Sequence, residues 1–85
     1  MLGLSKRKKR TSLERIFRLR LENARRINSS LFKGNKAAFA RALDVNPSFI
    51  THIIGDTPLR TIGEKLARDI EVKLGLLPGY MDQLR

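Results

Sequence analysis

The stretch KAAFARALDVNPSFITHIIG, residues 36–55, constrains this chain more than any other, because its apolar residues suit two short helices joined by a tight turn. Phe39, Ala40 and Leu43 recur at the three- and four-residue spacing that puts side chains on one face of a 3.6-residue helix. Val45 follows, and Asn46-Pro47 then opens a second helix. Asn serves as N-cap, and Pro stands at the first helical position, where its missing N–H costs nothing. Ile50 and Ile53 give that second helix a buried stripe and leave Ser48, Thr51 and His52 on its open side. Counted from Lys36, the apolar places are the fourth, eighth, tenth, fifteenth and eighteenth, with a small Ala at the fifth. Two helices crossing closely at a short turn need this pattern, and it predicts a helix-turn-helix.

Eighty-five residues suffice for one small domain, and a chain of this size buries only about 60–65 % of the surface its unfolded form exposes. Its 41 % apolar content suits a folded chain, and the absence of cysteine excludes a disulfide scaffold or a Cys-ligated zinc site. Apolar runs are only a few residues long, so no membrane span is expected. The basic N-terminal residues are followed by no apolar signal-peptide region. A cytoplasmic or nucleoid location is the expectation.

The formal net charge is +10, and it is unevenly spread. Eleven Lys and Arg precede Asn35 against only Glu14 and Glu22, whereas seven meet six acids from there onward. This positive N-terminal third points to a polyanion, DNA or RNA above all, although a basic run can also serve solubility alone.

Along the chain, residues 1–11 contain the run Lys6-Arg7-Lys8-Lys9-Arg10, whose mutual repulsion predicts a disordered basic arm. The domain proper is expected over residues 12–85. Thr11 and Glu14 form a capping-box pattern ahead of a long helix over residues 12–32. Its core stripe is Phe17, Leu21, Ala24, Ile27 or Asn28, and Leu31, with Arg15, Arg18, Arg25 and Arg26 lying away from it. Lys33-Gly34-Asn35 reads as a helix stop and a new N-cap. After the paired helices and a loop over residues 55–60, Thr61 and Glu64 suggest a second capping box. The helix it opens runs to about Leu74, with Ile62, Leu66, Ala67, Ile70 and Leu74 inward and Gly75 as its left-handed C-terminal residue. Residues 75–82 are apolar with two breakers and should pack back as a turn and a short helix. Nothing alternates as a strand does, so the fold class is all-α, with four to five helices.

Two segments, KAAFARALDVNPSFITHIIG and IGEKLARDIEVKLGLLPGYMD, resemble the lambda-repressor-like (Cro/repressor, helix-turn-helix) family of phage and bacterial transcription regulators. The second is similar to the I-G-x-x-x-A-R-x-I-E-x-x-L-G-L-P-x-G-W-x-D ending of phage repressor domains, and the helix RLRLENARRIN extends the likeness. Four features depart from the family. Asp44 stands where the family's turn has Gly, Tyr80 replaces a Trp and an extra Leu77 precedes Pro78, and the arm is more basic than the family minimum. The resemblance implies a repressor that binds a pseudo-palindromic operator as a dimer. It is compatible with either a Cro-like minimal regulator or the DNA-binding fragment of a longer one.

In a helix-turn-helix the exposed residues at the start and middle of the second helix reach base edges in the major groove. Carried onto this chain, these are Pro47, Ser48, Thr51 and His52. Pro47 offers only van der Waals contact. Ser48 and Thr51 can donate or accept, and His52 can donate to guanine. None is Arg, Asn or Gln, the types that bind a base in bidentate fashion, so shape readout and the arm should matter. Asn35 and Lys36 at one helix N-terminus, and Arg60 and Thr61 before another, are phosphate-contact candidates whose plainer role is capping. Lys6, Arg7, Lys8, Lys9 and Arg10 could follow the backbone or enter a minor groove.

Phe49 and Ile54 fall outside the second helix's stripe and, with Leu76, Leu77, Tyr80 and Met81, are candidates for a homodimer face. One His, no Cys and no glycine-rich phosphate loop argue against an enzyme, a metal site or a cofactor, and no small-molecule ligand is evident. Two other readings stay open: an antitoxin-like or adaptor module that binds protein, and non-specific nucleic-acid binding through the arm. A membrane-bound basic helix is a weaker one.

Overall fold

A computed structural model describes the backbone of residues 2–84 and the side chains of residues 13–84. Helix α1 spans Leu2–Phe32, α2 Lys36–Leu43, α3 Pro47–Ile54 and α4 Glu64–Leu74, and a single 3₁₀ turn follows at Tyr80–Asp82. There is no strand among the described residues, so the all-α expectation holds. Helix α1 begins at Leu2 rather than at the Thr11–Glu14 capping pattern. The backbone expected to be a disordered arm is helical instead: Leu, Lys and Arg are good helix formers and no proline interrupts them, so the helix runs through the Thr11–Glu14 start signal. The side chains of the expected arm, Lys6 to Arg10, lie outside the described residues, as does that of Thr11.

The core is built where the helical spacing puts it. Ala24 and Ile27 of α1 meet Phe39, Ala40 and Leu43 of α2, Ile50, Ile53 and Ile54 of α3, Ile62, Ala67 and Ile70 around α4, and Met81. Phe17, Leu21, Leu66, Leu74 and Val45 are half-buried around it. Leu31 corrects the expected stripe: it is 58 % exposed. The chain leaves α1 through Lys33 and Gly34, both at positive φ (53° and 81°), and turns before any element can cover Leu31. Gly34 N–H bonds back to Asn28 O at 2.9 Å, which ties off the helix end. Phe32 packs instead, stacked on Phe39 with ring centroids 5.1 Å apart, and this contact joins α1 to α2.

The second capping box does not form. Gly63 is the N-cap of α4 and supplies no side-chain bond. Glu64, which would have completed the box with Thr61, accepts from Arg20 Nη2 at 2.8 Å. A full guanidinium charge outcompetes a single orphan amide for that carboxylate. The other end of α4 follows expectation, with Gly75 left-handed at φ 69°.

Polar residues inside the fold tie the C-terminal turn down. Arg20 bonds Asp82 through Nε (2.6 Å) and Nη2 (3.1 Å), and reaches Ile62 O through Nη1. Asn23 Nδ2 donates to Met81 O at 2.8 Å and Gln83 O at 2.9 Å. Glu71 is 2 % exposed and accepts from the N–H groups of Gly79 (3.0 Å) and Met81 (2.8 Å), with Arg68 Nε 3.3 Å away. Buried polar groups are tolerable only when satisfied in this way.

Candidate nucleic-acid interface

The turn between α2 and α3 is set by residues whose local chemistry leaves little choice. Asn35 Oδ1 accepts from Ala38 N at 3.1 Å and caps α2, which leaves Lys36 exposed on its first turn. Asp44 ends α2 in the left-handed region (φ 58°, ψ 46°), and Val45 N–H bonds back to Ala40 O at 3.0 Å. An aspartate reaches that region at a cost of about 1 kcal/mol. Asn46 then caps α3 and Pro47 takes its first position.

On α3, Pro47, Ser48, Thr51 and His52 are all exposed, while Ile50 and Ile53 face the core. The candidate base-reading residues therefore share one open side of one helix. Ser48 is more constrained than its residue type suggests. Its Oγ donates to Asn46 Oδ1 at 3.0 Å, and its own N–H goes to the same oxygen at 3.1 Å. With its proton engaged, the hydroxyl presents lone pairs outward.

The loop after α3 is anchored to α3 itself. Leu59 N and Arg60 N both donate to His52 O, at 2.8 and 3.1 Å. Arg60 is exposed, and its guanidinium carbon lies 5.2 Å from the centroid of the Phe49 ring. A cation–π contact and a backbone clasp thus bring Arg60 alongside the open face of α3. Thr61 is exposed and follows it. Asn35 and Lys36 lie apart from these, at the start of α2.

Over 71 aligned residues the chain is 31% identical to the prophage repressor CohE of Escherichia coli (strain K12). The chain resembles a phage repressor. The likeness covers 84% of this chain and 31% of that repressor, so the chain spans about a third of the length of the curated relative it matches. No family model matches the chain, and no solved structure does either.

The structure redraws the face suggested for self-association. Ile54 is 5 % exposed and Met81 is fully buried, so both are core residues and not parts of an open face. Ile54 is enclosed because α3 ends against α1. Met81 is enclosed because the 3₁₀ turn is drawn inward by Asn23 and Glu71. Phe49 is half-buried beneath Arg60, Leu76 and Tyr80 are half-buried, and Leu77 is 78 % exposed. Val72 and Leu84, which the sequence reading passes over, are 77 % and 75 % exposed.

The sequence reading also misses the residues that hold the ends of α2 and α3 from behind. Arg25 of α1 donates to Ile54 O and Gly55 O, and Lys73 of α4 donates to Leu43 O at 2.8 Å. Arg20 and Asn23 carried a usable signal, since both lie on the core-facing side of α1 beside Ala24 and Ile27. A polar residue within an apolar stripe implies a buried partner. Among the described residues, no group of three or more His, Asp or Glu is placed to hold a metal, and no helix is long and apolar enough to cross a membrane.

Proposed function

We propose that this chain is a sequence-specific double-stranded DNA-binding domain of repressor type, acting on a pseudo-palindromic operator as a homodimer in a bacterial cytoplasm. The observation that carries the reading is α3 itself. It is capped at its start by Asn46 and has Pro47, Ser48, Thr51 and His52 together on an exposed side. A helix presented in this way after a tight turn fits the major groove. The likeness to a prophage repressor supports the same reading.

In this role His52 and Thr51 contact base edges. Ser48 acts as an acceptor and so favours an exocyclic amine of adenine or cytosine over the guanine O6 and N7 acceptors. Arg60, Thr61, Asn35 and Lys36 bind phosphates and fix the register. The excess of positive charge over residues 1–34 supplies the long-range attraction. Leu77, Tyr80 and Leu76, with Val72 and Leu84, form the self-association face.

Selection of bound fragments from a random DNA library at about 0.15 M salt tests this directly. A two-fold-symmetric consensus with half-sites about one helical turn apart is the expected result. Recovery of fragments with no common sequence would remove the reading and leave charge-driven binding through the basic residues.

A further inference from the structure

Both helices of the turn end on a cation that belongs to neither of them. At the end of α2, Lys73 Nζ lies 2.8 Å from Leu43 O and 3.4 Å from Asp69 Oδ2. At the end of α3, Arg25 donates from Nε to Ile54 O at 3.1 Å and from Nη2 to Gly55 O at 2.6 Å. The last carbonyls of a helix lack intrahelical partners and carry its negative dipole end, so a cation there is well matched. The two anchors differ in kind. An ammonium fixes a distance. A planar guanidinium bonded through two nitrogens to successive carbonyls fixes an orientation as well.

The Arg25 anchor also stands where α3 has no left-handed cap of its own. Gly55 is extended (φ −65°, ψ 178°), and an added Cβ there would lie 2.5 Å from Thr51 O. From Gly55 the chain runs out and returns to bond His52 O through Leu59 and Arg60. One guanidinium on α1 thus fixes the end of α3 and the start of the loop that carries Arg60.

We infer that Arg25 is a positioning residue for DNA discrimination: it sets the attitude of α3, and with it the placement of Ser48, Thr51 and His52, without contacting a base. The inference rests on the proposed DNA-binding function. Hydrogen bonds to base edges weaken steeply once their angle is lost, whereas phosphate attraction tolerates a small tilt. Loosening α3 therefore costs specific binding more than non-specific binding.

The test compares wild type with Arg25→Met and Arg25→Lys, all well below their thermal midpoints. The first readout is the ratio of affinities for the selected site and for a scrambled duplex of equal length at one salt concentration. The second, measured without DNA, is amide hydrogen exchange at Leu59 and Arg60. Arg25→Met is expected to lower the ratio by about tenfold, the scale of a lost charge-assisted hydrogen bond. Arg25→Lys keeps the charge but cannot bridge both carbonyls, so it should recover only part of the ratio. Both variants should speed exchange at the two amides.

Equal losses on both duplexes, or full recovery by Arg25→Lys, would show Arg25 to be one more positive charge and overturn the inference. So would a lower thermal midpoint with the ratio unchanged. A wild-type ratio near one overturns the proposed function and this inference together. A high wild-type ratio that Arg25→Met leaves intact overturns the inference alone.

Discussion

Arg20 Nε and Asp82 Oδ1 lie 2.6 Å apart although 62 positions separate them in sequence. The guanidinium is nearly buried and the carboxylate about a quarter exposed, and this pair closes the C-terminal turn onto α1. Two further carboxylate contacts surround it, from Glu64 to Arg20 and from Asp82 to Arg68.

The pair makes stability depend on acid. The hydrogen bond from Arg20, helped by the positive charges of Arg20 and Arg68 and opposed by burial, holds the Asp82 carboxyl below its ordinary value of 3.8. The native state therefore binds fewer protons than the unfolded chain near that value. The stabilisation is present above pH about 4 and is lost as pH falls through the depressed native value. Urea unfolding of Asp82→Asn at neutral pH should show a loss of about 2 kcal/mol, since Arg20 loses the negative charge and one of the two acceptor oxygens of that carboxylate. Below pH about 4 its stability should fall less steeply than that of wild type. Parallel curves for the two proteins would mean that the pair contributes nothing.

Gly55→Ala tests a close approach. The new methyl would meet Thr51 O at 2.5 Å, a backbone atom that cannot swing aside. The end of α3 must shift, and a loss of about 1–3 kcal/mol in thermal or urea unfolding is expected.

Asp44 offers the opposite case. Its φ of 58° is a strained setting for any residue with a Cβ, and Asp44 is exposed. Asp44→Gly should raise stability by about 0.5 kcal/mol, with the relief of strain partly offset by the greater freedom of glycine in the unfolded chain. Asp44→Val should lower it by more than 1 kcal/mol, roughly, because a branched side chain is least tolerant of that region.

On DNA the open side of α3 and the loop should behave differently. His52→Ala is expected to relax sequence preference at one position of each half-site and cost about 1–3 kcal/mol on the selected duplex alone. Arg60→Ala should weaken selected and scrambled duplexes alike and reduce the log–log salt slope by about one. Filter-binding or fluorescence titrations over a salt series distinguish the two.

What the sequence discloses and what it hides divide along distance in the chain. The caps at Asn35 and Asn46 and the stripe Phe39, Leu43, Ile50 and Ile53 depend on neighbours a few residues away, so residue type and periodicity locate them, whereas the turn position of Asp44 comes from the family resemblance. Arg20, Asn23, Arg25, Glu71 and Lys73 take their meaning from partners elsewhere in the fold, and Lys73 reaches back 30 positions to Leu43. A helical pattern marks such residues as polar and cannot say what they hold. Ile54 and Met81 fail for a related reason: the wheel of a single helix cannot register a second element closing over its end.

The double bond from Leu59 and Arg60 to His52 O has a consequence for how this surface can change. The backbone that carries Arg60 is stitched to the helix that carries Ser48, Thr51 and His52, on the far side of the exposed Asp56, Thr57 and Pro58. Extra residues inserted among those three would bulge into solvent as a longer hem, at a modest entropic cost that grows only with the logarithm of its length. Stitch and helix would keep their relation. Lineages could thus lengthen the flank of α3 without disturbing Ser48, Thr51 and His52 on its open side.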